Sequence, residues 1–323
     1  MRITVIGVGA VGGWLAGALA RAGAEVSLVA RGATLEAIRS AGLTLIEKER
    51  RETFRLTVSE SAVDLPRADA VIVAVKTYGF AEAIAKAAPA LAHGPMVVTA
   101  MNGLPWWFLS GLAGPLEGQR LEAIDPGGKA ADMLRAVRPV GAVAHVSSRA
   151  DAPGVIRVAG VDRLILGEPD GKTSAGTAEL ARLLVAGGVP APVTADIHLE
   201  IWAKLWGNMN MNPVSALTRL TAKPILGDPR LFELVRGMMR EFAELGARIG
   251  VKLPITVDER LVITRRLGDF RTSMHNDAEA GRPMEVEGLL GVVVEMADRI
   301  GHPVPMSRAV YALARAIDPG SAR

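Results

Sequence analysis

The 323-residue chain contains no cysteine. That excludes disulfides, thiolate metal sites and cysteine nucleophiles, and it fits a cytoplasmic protein. No apolar run reaches the roughly 20 residues needed to cross a bilayer, so no membrane partner is expected. No secretory leader precedes the first expected strand at Ile3. Neither sign of charge dominates: 37 Lys and Arg face 34 Asp and Glu, for a formal net charge of +3. Aromatic residues are only 4% of the chain and nowhere interleave with a basic stripe, so no nucleic-acid partner is expected. The histidines (His93, His145, His198, His275 and His302) show no metal-ligand spacing, and no metal is expected. G-x-S-x-G nucleophile motifs, internal repeats and low-complexity tracts are also missing. What is present is a chain that is half hydrophobic and long enough for two domains.

The amino terminus carries the first positive signal. Ile3–Ile6 reads as a short buried strand, followed at once by Gly7-Val8-Gly9-Ala10-Val11-Gly12 and an Ala-rich helical pattern to about Ala22. Strand, G-x-G-x-x-G and helix in that order form a dinucleotide-binding context. Gly7 permits the tight turn, Gly9 lets the backbone approach a pyrophosphate, and Gly12 lets the helix sit close on the strand. The helix N-terminus offers unpaired N–H groups to phosphate. A further absence decides between dinucleotides. The second strand, Glu25–Ala30, lacks the terminal acid that usually holds a ribose 2′-hydroxyl and is followed by Arg31 instead. Arginine cannot accept a hydrogen bond from a hydroxyl but can pair with a 2′-phosphate, which favours NADP(H).

Along the rest of the chain, Leu43–Glu47 and Thr53–Val58 read as a hairpin around Lys48–Arg51. Asp69–Ala74 and Met96–Met101 read as strands on either side of a helix at Phe80–Leu91. Residues 111–139, rich in Gly and Pro, read as an irregular excursion or lid. Trp106-Trp107-Phe108 reads as either a lid or a dimer contact. Short antiparallel strands are expected near 140–146, 155–158 and 163–166, with a last helix at Leu180–Ala186. Gly187–Val193 breaks both periodicities and is the linker candidate. Beyond it the pattern is helical: Asp196 can cap a helix that Pro213 should kink or end, Asp228-Pro229 opens a helix to Ile249, and further helices fit 257–266, 283–300 and 307–317. The expected fold is α/β, an N-terminal Rossmann dinucleotide-binding domain (1–190) followed by an all-helical C-terminal domain (191–323). The cleft between domains is the default site.

The helix from Ile201 to Pro213 places Lys204, Asn208 and Asn212 at i, i+4 and i+8, steps that advance only about 40° around a helix. An ammonium and two carboxamides on one stripe can grip a small oxyacid, although alone such a stripe also reads as a solvated face. Lys76 and Asn102 each follow a sheet strand, where they can reach cofactor or substrate. Glu285 opens an otherwise apolar helix, where a first-turn carboxylate is also favoured by the helix dipole alone.

Taken together, Lys204-x-x-x-Asn208-x-x-x-Asn212-Pro213, Asn102-Gly103, the glycine loop, Arg31, Ser273-Met274 and Glu285-Val286-Glu287-Gly288 resemble the ketopantoate reductase (2-dehydropantoate 2-reductase) family, in order and over nearly the whole chain. The resemblance implies Lys204 as catalytic acid and Glu285 as an active-site carboxylate near the nicotinamide ribose and the substrate hydroxyl. It implies that Asn102 touches both cofactor and substrate, and that Asn208, Asn212 and Ser273 hold the pantoate skeleton. Arg31 and Lys76 then serve the cofactor, and Ser147 matches a position whose backbone meets the nucleotide. The chain departs from the family pattern in the long segment from Trp106 to Pro139, and at Thr221–Pro224, which lacks an asparagine that some members use.

The expected activity is NADPH-dependent reduction of 2-dehydropantoate, with hydride delivered to the 2-oxo carbon and a proton from Lys204 to the developing oxyanion. Reduction of another small branched 2-oxo acid is the alternative within this class. A non-catalytic NADPH-binding sensor or scaffold is the alternative outside it. The association state stays open, a homodimer included.

Overall fold

Short runs of branched apolar residues make the strands, and β1 (Arg2–Ile6) buries all but its first residue. After the glycine loop come α1 (Ala10–Arg21), β2 (Glu25–Val29), α2 (Gly32–Ala41), β3 (Leu43–Glu47), β4 (Arg50–Phe54), β5 (Thr57–Ser59), β6 (Ala70–Val73), α3 (Phe80–Leu91) and β7 (Met96–Thr99). An irregular stretch leads to α4 (Lys129–Met133), β8 (Arg138–Ala152), β9 (Val155–Gly167) and α5 (Ala175–Ala186). The computed structural model describes residues 1–321 and divides into two compact units. The first comprises Met1–Met101 and Gly128–Ile197.

The described strands of this unit form one sheet in the order β4-β3-β9-β8-β7-β6-β1-β2-β5. From β5 through β2, β1, β6 and β7 to β8 every pairing is parallel. That is the doubly wound Rossmann order, whose switch point lies between β1 and β6. The glycine loop and the Lys76 loop leave the carboxyl ends of those two strands. Helix α1 packs close to the sheet because Gly13 and Gly17 face Ile156 and Leu45, where an added Cβ would overlap the side chain.

Two strand assignments change. The hairpin turns at Lys48, which takes a left-handed φ of 54°, so that β4 begins at Arg50 and not at Thr53. Arg21 ties the two arms by pairing with Glu47 and Glu52. Thr57-Val58 leaves the hairpin altogether and pairs with β2. The three short strands expected after residue 140 are two long ones, β8 and β9, an antiparallel pair with register shifts at His145/Val146, Ser147/Ser148 and Ala150/Ala152. Such irregularities interrupt the alternation that a sequence reading relies on.

The second unit holds Asn102–Gly127 and the chain from His198 onward, so residues 102–127 depart from the division at 190/191 expected from the linker. Its helices are α6 (Ile197–Thr218), α7 (Ala222–Gly227), α8 (Pro229–Ile249), α9 (Val257–Arg266), α10 (Ser273–Glu279), α11 (Val292–Arg299) and α12 (Pro305–Ile317). A π-helical turn, Glu287–Gly291, leads into α11. The core is an aromatic stack. The ring of Trp202 lies 3.9 Å from that of Phe242 and 5.7 Å from that of Phe108, centroid to centroid. Trp107 and Phe108 also contact His198. These two residues, read from the sequence as lid or dimer contact, are therefore buried core. Leu109, Leu112, Leu116 and Leu121 are buried with them, and the Glu295 carboxylate accepts from the backbone N–H groups of Glu122 and Ala123. Residues 111–127 of the excursion are thus anchored packing within the second unit, whereas 128–139 belong to the first and form α4 and the start of β8.

Helix α6 runs past Pro213 to Thr218 instead of stopping or breaking there. A proline inside a helix costs about 3 kcal/mol, but Val214, Ser215 and Ala216 beyond it are all buried, and burial on that scale outweighs the lost bond. Asp228 caps α8 as expected, accepting from the N–H groups of Arg230 and Leu231.

The glycines of the first loop make a differential test. An added Cβ at Gly12 would overlap the backbone carbonyl of Gly7, whereas at Gly9 it meets nothing within 4 Å. Gly12→Ala should destabilise the protein by about 1–3 kcal/mol, and Gly9→Ala should melt at nearly the wild-type temperature. Equal melting curves for the two variants would count against this packing.

Candidate active site

In the first unit the glycine loop rims a pocket of about 340 Å³ whose lining includes Gly7, Val8, Gly9, Arg31, Thr34, Glu60, Lys76, Tyr78, Glu82 and Lys86. That volume is typical of a small-molecule site. Gly7 takes a φ of +87°, and an added Cβ there would sit 2.5 Å from Val75 Cγ1, so glycine is required both for conformation and for space. Gly9 is the N-cap of α1 and faces open space, where a ligand can approach its backbone. Ala10 and Val11 form the first turn of α1, with the free N–H groups of a helix start. A glycine loop of this kind, a helix N-terminus and the cations Arg31 and Lys76 fit a dinucleotide and its phosphates.

Arg31 ends the β2 segment as expected, but its guanidinium does not stand alone. Nη1 donates to both carboxylate oxygens of Glu82, at 2.8 and 3.0 Å. Lys86 lies 3.3 Å from Glu82 Oε1 and 3.6 Å from Glu60 Oε1. The sequence reading named none of Glu60, Glu82 or Lys86, whereas Tyr78 closes the Val75–Tyr78 loop that it expected to line the cofactor site. The i, i+4 spacing of Glu82 and Lys86 was a visible helix pair, but their approach to Arg31 joins elements far apart in sequence. Ser147 lies on β8 opposite Gly160 and does not line this pocket.

In the second unit, Lys204, Asn208 and Asn212 share one side of α6. Asn210 points away: it is fully buried, and its Nδ2 donates to the Trp206 carbonyl at 2.5 Å. Lys204 keeps some exposed surface but is packed round by protein, and desolvation lowers its pKa from 10.5 to about 8 despite the opposing pull of Glu285. Glu285 is itself buried. It immediately precedes the helical turn at Val286, so it sits at the helix mouth and not within it. The carbonyl of Gly288, in the π turn, closes on Gly103: an added Cβ at Gly103 would lie 2.5 Å from that oxygen, and Gly103 has a φ of +81°. That approach fixes Asn102 beside the segment bearing Glu285. π turns of this sort recur at functional sites.

Ser273 is exposed at the first position of α10. Its neighbour Thr272 caps that helix and shares a 2.5 Å hydrogen bond with Ser215 of α6. This bond ties Ser273 to the Lys204 helix, a link with no signature in the sequence. Arg260 of α9 lies against Gly207, where an added Cβ would meet its Nη2 at 2.9 Å, and burial pulls its pKa down.

The lowered pKa of Lys204 has a consequence for stability. Between pH 8 and 10.5 the unfolded chain retains a proton that the folded lysine has released, so stability rises with pH across that window. Below pH 8 both states are protonated and the desolvation cost is paid in full. Lys204→Met should remove this rise, as read from urea denaturation of both proteins at pH 7 to 10.5. Glu285→Gln should lower the lysine pKa further, visible in an NMR titration of the ammonium.

Two family models match the chain: ketopantoate reductase PanE/ApbA over residues 3–107, and the ketopantoate reductase PanE/ApbA C-terminal model over residues 196–318. A 2-dehydropantoate 2-reductase from Mesorhizobium japonicum is 43% identical over 98% of this chain and 97% of its own. A crystal structure from Ralstonia solanacearum MolK2, described as a candidate ketopantoate reductase, superposes with a TM-score of 0.92 at 41% identity, covering 98% of this chain and 97% of the other. The 2-dehydropantoate 2-reductase of Methylococcus capsulatus superposes with a TM-score of 0.85 at 27% identity, covering 100% and 98%. With its Rossmann unit, its helical unit and both family models matched, the chain belongs to the ketopantoate reductase family of oxidoreductases.

Proposed function

We propose that the protein reduces 2-dehydropantoate to pantoate with NADPH, with Lys204 as the proton donor. The observation that carries this reading is the Lys204 ammonium, desolvated by burial and opposed in that shift by the charge of the buried Glu285 carboxylate. NADPH would supply the hydride at the 2-oxo carbon. The glycine loop, Arg31 and Lys76 would hold its phosphates, and Asn102 and Glu285 its nicotinamide end.

The remaining chemistry belongs to the chain. As charge develops on the carbonyl oxygen, an ammonium with a pKa near 8 is a better acid than an ordinary lysine, and at neutral pH it is still protonated. Glu285 keeps it so by opposing the desolvation. Asn208 and Asn212 can each donate and accept, which suits a substrate carrying both hydroxyl and carboxylate oxygens. Ser273, steadied through Thr272 and Ser215, adds a further hydroxyl.

A panel of 2-oxo acids tests the proposal. NADPH oxidation should be fastest with 2-dehydropantoate and slow with aldehydes and simple ketones; a clearly better branched 2-oxo acid would reassign the substrate, and no turnover at all would favour a binding protein. Lys204→Ala should lower kcat by roughly 10²–10⁴-fold with NADPH affinity nearly intact, and near-wild-type kcat would remove Lys204 as the donor. For the wild type, kcat/KM for reduction should hold below pH 8 and fall about tenfold per unit above it, as the lysine loses its proton. NADPH should bind more tightly than NADH in the wild type, and Arg31→Ala should erase most of that gap; equal wild-type affinities by calorimetry would remove the NADP preference.

A further inference from the structure

The acid missing from the end of β2 has a counterpart on another element. Glu82 stands in the first turn of α3 and lines the same pocket as Gly7, Gly9 and Arg31. Its carboxylate engages Arg31 Nη1 through both oxygens and also meets Lys86, which in turn reaches Glu60. Charges therefore alternate along the pocket wall in the order Arg31, Glu82, Lys86, Glu60. We propose that Glu82 sets the balance between the two nicotinamide dinucleotides by competing with a 2′-phosphate for Arg31. This inference rests on the reading that the pocket takes the adenosine end of the cofactor.

The physical argument is one of competition. A 2′-phosphate has two ways to use Arg31. It can displace Glu82 and lose the existing pair, or it can bind the remaining guanidinium nitrogens with a carboxylate close by. Both reduce the attraction that a lone arginine would give. A 2′-hydroxyl meets neither cost, because it is neutral and can donate to a carboxylate on the wall. Lys86 first, and Arg31 second, hold the Glu82 carboxyl below the usual range, so it is ionised whenever the protein is near neutral pH. The side chains of Arg31 and Glu82 are 68% and 53% exposed, so water screens the pair and its effect is moderate. Arg31 thus favours NADPH while Glu82 restrains that preference and leaves NADH usable.

Calorimetric titration of NADPH and NADH into the full-length wild type, Glu82→Gln, Arg31→Ala and the double variant tests this without any turnover. Glu82→Gln should tighten NADPH about three- to tenfold and leave NADH unchanged or weaker. In the Arg31→Ala background the same substitution should change the NADPH-to-NADH ratio less than about twofold, because the contested group is gone. A wild-type ratio in Glu82→Gln would overturn the proposal, and so would an equal change with and without Arg31, which would mean direct repulsion. Failure of the wild type to bind either dinucleotide would instead remove the cofactor reading of the pocket, and this inference with it. Thermal melts of Glu82→Gln, a near-isosteric change at an exposed site, should match the wild type.

Discussion

The ammonium of Lys204 is partly withheld from water because the helix that bears it is packed on most of its circumference. Trp202, Leu205, Trp206, Met209, Met211 and Val214 are all buried, and Trp202 is stacked between Phe108 and Phe242. Burying one such indole contributes about 4–6 kcal/mol from area alone, which is ample to hold a helix that also carries an uncomfortable charge. The same packing that fixes the helix thus lowers the lysine pKa. Loosen the aromatic stack and water returns, the pKa climbs toward that of an ordinary lysine, and an acid strong enough to act near neutrality is lost.

The opposing carboxylate is placed by backbone more than by side chains. Glu285 precedes a helix that widens into a π turn, and the Gly288 carbonyl of that turn accepts the close approach of Gly103. Only glycine fits there, on grounds of both φ and space. The contact joins the Asn102 turn to the Glu285 segment within the second unit.

What the sequence made legible was local or periodic. The glycine loop could be read because its spacing sits between an adjacent strand and helix, and the Lys204 stripe because four-residue steps stay on one face. Asp228 before Pro229 marked a helix start for the same reason. What stayed hidden required knowledge of partners distant in sequence. Pro213 suggested an end to α6, but the burial of Val214–Ala216 decides otherwise. Trp107 and Phe108 looked like surface aromatics in a Gly/Pro-rich run until Trp202 and His198 were seen beneath them. Arg31 was read as an available cation because Glu82 lies far along the chain, and the Thr272–Ser215 bond behind Ser273 leaves no pattern at all.

The interleaving of the units bears on how the polypeptide is made. Synthesis delivers residues 102–127 before the strands β8 and β9 that complete the first unit. The aromatic side chains Trp107 and Phe108 of that segment are destined for α6, which emerges later still. Neither unit can be assembled from an uninterrupted stretch of nascent chain, so the usual order of one finished domain followed by the next does not apply. For a time the growing chain must present Trp107, Phe108 and their neighbouring leucines without the surfaces that cover them.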